Sequence, residues 1–126
     1  MSAIDDPEQI RAMQAMAMAA EIASRWEVLH ATGVEIAAMA ALAREPYAGE
    51  LASFPDRIAQ GDNSRLQLAL WSLEDIDAMT QPGLTALAAI QARGQDVTAP
   101  ALALWREFHA ARNAVLALCE DESCPA

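Results

Sequence analysis

The chain has 126 residues, enough for one ordinary domain with a buried core. Hydrophobic residues make up 54% of it, but only six residues are aromatic and alanine is the commonest type, a composition typical of closely packed helices. The formal net charge is −10 and all eight basic residues are arginine, which disfavours binding to nucleic acids or to anionic membrane surfaces.

The first predicted element is a helix that begins near Pro7. Asp6 can cap its free N–H groups, Pro7 suits the first helical position, and Gln9 can complete a capping box. The sequence Arg-Glu-Pro at 44–46 predicts its end. Between these signals apolar residues recur every three or four positions and stay in phase: Met18, Ile22, Trp26, Leu29, Gly33, Ile36 and Ala40.

Gly33 leaves two interpretations of this segment open. Thr32 to Glu35 has the form of a capping box, which would divide the segment into two helices. The apolar stripe continues in register through Gly33, and we therefore favour one long helix with Gly33 at a close helix crossing. Such a helix would be about 55 Å long at 1.5 Å per residue and would extend beyond its neighbours, which predicts a homodimer.

Residues 46–61 are predicted to form one or two short helical turns, as a connector more than as part of the core. Gly49 and Pro55 interrupt the segment, residues 53–56 form a second helix start, and Gly61 marks an end.

Two further helical segments follow. Ser64 to Gln67 predicts a helix start, Gln81-Pro82-Gly83 is expected to kink or end that helix, and a shorter helix then reaches Gly94. Thr98 to Pro100 starts the last helix. The expected core positions are Leu66, Ala69, Leu70, Leu73 and Ile76, then Leu84, Leu87 and Ile90, then Leu104, Phe108, Ala111, Val115 and Leu118.

These segments predict an all-α fold, an antiparallel helical bundle of four to five helices with a long N-terminal helix and no β-sheet. Residues 1–126 are expected to form a single helical domain with frayed tails at 1–5 and 120–126. The first residues do not resemble a signal peptide, and the longest apolar run, 36–43, is too short to span a bilayer. Cys119 and Cys124 lie too close together to make a disulfide scaffold. We expect a cytoplasmic protein, and the absence of lysine indicates a GC-rich bacterial genome.

Glu27 and His30 form a Glu-x-x-His pair on the first helix, which resembles one quarter of the site in helical di-iron carboxylate proteins. Together with Glu74 and Asp77 they define the alternative function, a metal- or small-ligand-binding bundle. A structural or exposed pair is the favoured interpretation, because the only other histidine, His109, has no such motif.

His109 to Leu118 resembles the phospho-acceptor helix of sensor histidine kinases in its histidine, arginine, asparagine and aliphatic positions. The resemblance implies phosphoryl transfer to His109. The sequence departs from that family at Ala110 and Ala114, where an acidic residue and a proline are usual, and an ordinary solvent-facing histidine is favoured.

Asp77 falls on the apolar face of the Ser64 helix. A buried carboxylate needs a partner, so Asp77 is predicted to bind an arginine or the backbone near Pro82, with a polar binding pocket as the alternative.

The last helix has a second, mixed face that we select as the candidate interaction surface, because aromatic residues and arginine are enriched at interfaces. Trp105 and Leu116 could instead pack under the 46–61 connector. The face consists of Trp105, His109, Arg112 and Leu116.

No catalytic or cofactor motif fixes an activity. The leading hypothesis is a non-enzymatic, adaptor- or chaperone-like protein that acts through protein contacts as a homodimer. No cofactor, nucleic acid or membrane partner is expected.

Overall fold

The computed structural model describes residues 6–42 and 49–122, with side chains through Cys119. Within these residues there are four helices and no strand, which confirms the all-α prediction. The helices are α1 (Pro7–Met39), α2 (Glu50–Ile58), α3 (Asn63–Ala92) and α4 (Thr98–Glu122).

Helix α1 is continuous for 33 residues, as the phase of its apolar stripe predicts. The Asp6 side chain accepts a hydrogen bond from the Glu8 N–H at 3.0 Å, and Pro7 occupies the first helical position. Gly33 lies buried within the helix. The capping-box pattern at Thr32 therefore does not divide α1 into two helices.

Helix α1 ends earlier than the predicted stop at residues 44–46. The Ala41 N–H bonds the Ala38 carbonyl at 3.1 Å and the Leu42 N–H bonds the Ala37 carbonyl at 3.0 Å. This is the Schellman pattern, and it places Ala41 at a positive φ of 58°, the position that usually requires glycine. Helix α3 ends with the same pattern around Gly94, whose φ is 73°. Because alanine occupies the position that is usually glycine, the sequence contained no signal for the end of α1.

Helix α3 begins and ends at different residues from those predicted. Asp62, rather than Ser64, caps it by accepting from the Arg65 N–H at 2.9 Å. The helix then continues through Pro82 to Ala92, so the prediction of an end and a second, shorter helix is wrong. Pro82 and Ala78, whose carbonyl loses its helical donor, are both exposed. Water can solvate that carbonyl, which lowers the cost of the proline.

Helix α4 begins at Thr98, as predicted, but its start depends on a residue that the pattern missed. The Asp96 carboxylate accepts from the Thr98 N–H at 3.0 Å and from the Thr98 hydroxyl at 2.7 Å, and these bonds lower the pKa of Asp96. The helix runs to Glu122, so its backbone continues into the segment 120–126 that was expected to be a frayed tail. Residues 1–5 and 123–126 lie outside the described residues.

The predicted antiparallel arrangement holds for only some helix pairs. Near the start of α1 the Asn63 side chain donates to the Arg11 carbonyl at 3.5 Å, and further along Arg25 lies 3.6 Å from Glu74. Because residue numbers rise together along this contact, α1 and α3 are parallel.

Helices α3 and α4 run in opposite directions. Arg65 donates to the Leu118 carbonyl near one end, and a Cβ added to Gly83 would lie 2.8 Å from Leu104 near the other. The chain must therefore cross from the end of α1 back to the start of α3, and α2 lies on this path. Helices α1 and α3 contain 33 and 30 residues, so α1 is only three residues longer than the helix beside it, and the homodimer stays a prediction.

Helix α2 belongs to the core, so its prediction as mainly a connector is wrong. Phe54 and Ile58 are 0% and 1% exposed, and the Phe54 ring lies 4.3 Å from the Trp26 ring. All four helices contribute to one hydrophobic cluster. Its largest fully buried apolar side chains are Trp26, Phe54, Phe108, Ile22, Ile36, Ile58 and Leu66.

One hydrogen bond connects α2 to α1. Pro55 has no N–H group and so leaves the carbonyl of Leu51, four residues earlier, without its helical donor. The Trp26 indole Nε1 donates to that carbonyl at 2.7 Å. The buried indole and the unpaired carbonyl each satisfy the other.

The two Schellman turns predict opposite effects of one exchange. Ala41→Gly should stabilise the protein by about 1 kcal/mol, because glycine adopts positive φ without steric cost. The matched control Gly94→Ala should destabilise it by a similar amount, since the added Cβ meets strain but no neighbouring atom. Urea denaturation measures both changes, and the same sign for both variants would contradict the turn geometry.

The Trp26 to Leu51 bond predicts coupling between Trp26 and Pro55. Trp26→Phe should cost about 2–3 kcal/mol, because it leaves the Leu51 carbonyl without a donor and removes buried area. Pro55→Ala supplies a new N–H to that carbonyl. It should therefore stabilise the Trp26→Phe protein by about 1 kcal/mol more than it stabilises the wild type, as a denaturation double-mutant cycle measures. Additive effects would show that the two residues do not share this carbonyl.

Candidate functional site

The predicted surface on α4 is mostly interior. Arg112 is 3% exposed and Leu116 is 7% exposed, whereas Trp105 is half-buried and His109 is exposed. Helix α4 also contacts α2. Part of α4 is therefore covered by the Glu50–Ile58 helix rather than by solvent.

Arg112 is held among aromatic rings. Its guanidinium carbon lies 5.1 Å from the centre of the Phe108 ring and 5.7 Å from that of Trp105, distances typical of cation–π contacts. His109 stacks on Trp105 at 5.5 Å, and its Nε2 lies 3.3 Å from the Asn113 side chain. These residues form a structural cluster on α4 and not a free docking surface.

Asp77 is exposed, which makes the prediction of a buried carboxylate wrong. Its Oδ1 accepts from the Gln81 side chain at 3.1 Å. The buried stripe of α3 passes from Leu73 to Ile76 and then to Thr80, so Asp77 lies at its edge. The polar residue that α3 buries is Thr80, whose hydroxyl donates to the Ile76 carbonyl at 2.6 Å.

Asp77 does border a shallow groove between α1 and α3, with a volume of about 170 Å³. Arg25 supplies its positive charge but already contacts Glu21 at 2.8 Å. The groove therefore offers a ligand little room and a largely neutralised cation. Its lining is Ser24, Arg25, Val28, Leu29, Thr32, Leu73 and Asp77.

The four residues of the metal-binding alternative do not converge. Glu74 faces Arg25 of α1, Glu27 is exposed, and His30 is half-buried. Among the residues that the structure describes, no three His, Cys, Asp or Glu side chains are grouped so that they could hold a metal ion. These positions therefore do not support the metal-binding form of this alternative.

The strongest surface feature is one that the sequence interpretation missed. Trp71 is 58% exposed, and Leu68 and Met79 on the same side of α3 are 46% and 39% exposed. With Asp75 these residues follow helical spacing on the side opposite the core stripe, and we call the four of them the outer face of α3. The available signal was a second apolar stripe out of phase with the first.

A second exposed apolar region lies at the start of α1. Ile10, Met13 and Met16 are 42%, 63% and 73% exposed, and the first buried residue of the helix is Ile22. Their exposure leaves these side chains available for contact.

None of the helices in the described parts of the chain combines the length and the apolar character that a membrane span needs. No protein-family model, curated protein or solved structure matches the chain.

Three α3 and α4 variants test where the polar residues lie. Arg112→Ala should destabilise the protein by about 2–4 kcal/mol, because it removes a buried stem and its ring contacts. Arg106→Ala, at an exposed neighbour on the same helix, and Asp77→Ala should each change stability by less than about 0.5 kcal/mol. Thermal and urea denaturation provide the measurement. A large loss of stability in Asp77→Ala would instead show that the Asp77 carboxylate is buried and paired.

Proposed function

We propose that this protein acts in the bacterial cytoplasm as a non-enzymatic adaptor that binds another protein chain through the outer face of α3. The observation that carries the proposal is the exposure of Trp71 beside Leu68 and Met79. Tryptophan and methionine are enriched at protein interfaces, and a cluster of exposed large apolar side chains marks a contact site more often than a single one does.

The energetics favour contact at this position. Covering the exposed part of Trp71 would contribute roughly 2–3 kcal/mol, a large share of the binding energy of a small interface. The side chain projects from a 30-residue helix whose opposite face includes the buried residues Leu66, Leu70 and Leu73. Little backbone ordering would be needed on binding, which lowers the entropic cost.

Site-specific crosslinking tests the proposal. Trp71→benzoylphenylalanine in the native host should give a photo-adduct with one defined protein, which mass spectrometry identifies. The same replacement at Glu107, an exposed residue of α4, is the matched control and should give none. Adducts that are absent at position 71, or equal at the two positions, would contradict the proposal.

Stability provides a second check of the same face. Trp71→Arg should abolish binding of the protein that crosslinks at position 71. It should leave the melting temperature within about one degree of the wild-type value, because the Trp71 side chain packs little against the core. A fall of many degrees would show that Trp71 is a folding residue.

A further inference from the structure

We infer that the outer face of α3 binds a helix of another protein whose apolar stripe is interrupted by one arginine or lysine. This inference rests on the proposed function and specifies the chemistry of the partner. It comes from the charge within the apolar surface. Asp75 lies between Trp71 and Met79 at spacings of four residues, so a partner that covers both apolar side chains also covers the carboxylate.

Asp75 has no compensating charge among the residues that the structure describes. Within the described residues its exposed carboxylate forms no ion pair, whereas the neighbouring Glu74 faces Arg25 at 3.6 Å. From Leu66 to Ala92 every charged residue of α3 is acidic. Covering an unpaired carboxylate is costly, and a cationic side chain from the partner removes that cost.

The same charge disfavours a second copy of this chain. In a two-fold symmetric contact the face meets itself, so two Asp75 carboxylates enter one apolar seam. The seam then contains either two apposed carboxylates or two carboxylates that face Leu68 or Met79. The net charge of −10 adds repulsion between whole molecules.

The dimensions specify the rest of the partner. Leu68 to Met79 covers about 16 Å of helix at 1.5 Å per residue, which corresponds to three turns. A partner helix of that length can cover Leu68, Trp71 and Met79 with apolar side chains and place its cation opposite Asp75.

Two synthetic amphipathic peptides of identical composition, about 18 residues or five turns long, test the inference. One has arginine at the centre of a leucine stripe and glutamine on its polar face, and the other exchanges these two residues. The two peptides therefore carry the same net charge.

Binding is measured by calorimetry and by the blue shift of Trp71 fluorescence emission. The Trp71→Phe variant identifies which part of the fluorescence signal comes from Trp71. The wild type should bind the first peptide about tenfold more tightly.

The variants locate the source of this preference. Asp75→Asn should remove it, while Glu107→Gln, which deletes one exposed charge on α4, should retain it. Equal binding of the two peptides by the wild type, or a preference that persists in Asp75→Asn, would overturn the inference.

The failure of this inference is distinguishable from failure of the proposed function. Equal binding of both peptides that Trp71→Arg abolishes would leave the docking face valid and the partner chemistry wrong. Self-association that Trp71→Arg abolishes, seen by sedimentation equilibrium, would make a second copy the occupant and overturn the inference. A monomer that binds neither peptide and gives no crosslink at position 71 would refute both.

Discussion

The hydrogen bond from the Trp26 indole to the Leu51 carbonyl is the interaction on which the arrangement of the helices depends. It exists because Pro55 leaves that carbonyl free within a nine-residue helix. A helix this short has little stability alone, so tertiary contacts must hold it. Phe54 against Trp26 supplies the apolar part of those contacts. Helix α2 is thereby packed on the bundle, and the parallel helices α1 and α3 share one core with it and with α4.

Helices α3 and α4 differ in the residue types that they expose to solvent. Helix α2 contacts α4, where Arg112 lies buried against Phe108 and Trp105. No comparable element covers the side of α3 that bears Trp71 within the described residues. An arginine is therefore interior and a tryptophan exterior, the reverse of what the residue types alone suggest. Arg112 is thus a packing residue of α4, and Trp71 is the exposed residue of α3 on which the proposed binding rests.

Local signals allowed much of the secondary structure to be predicted. Asp6 and Pro7 fix the start of α1 through short-range hydrogen bonding and fixed φ, and the phase of its stripe carries it through Gly33. The errors arise where tertiary context decides. The cost of Pro82 depends on exposure, which a linear pattern does not record. Asp77 was wrongly placed on the buried face of α3. A step of three residues and a step of four residues lead to different sides of a helix, and at the edge of the stripe this difference decides between burial and exposure.

The candidate surface was less predictable than the fold. To identify this surface one must know which of the two apolar stripes on α3 is covered by other helices. The answer depends on where α1, which is parallel to α3, and α2 pack. Periodicity identifies the stripes and does not rank them. The contact between Arg25 and Glu74 and the bond from Asn63 to Arg11 gave the direction of α1, and no sequence signal specified either pairing.

The parallel pairing of α1 and α3 has a consequence for synthesis of the chain. Contacts between them join residues about 50 positions apart, as Arg11 with Asn63 and Arg25 with Glu74 show. Translation proceeds from the N-terminus, so the apolar stripe of α1 leaves the ribosome before its partner helix has been made. Closing that long loop slows the pairing. In the interval Ile22, Trp26 and Ile36 are accessible to chaperones or to other nascent chains, and the speed of translation through α3 sets how long that exposure lasts.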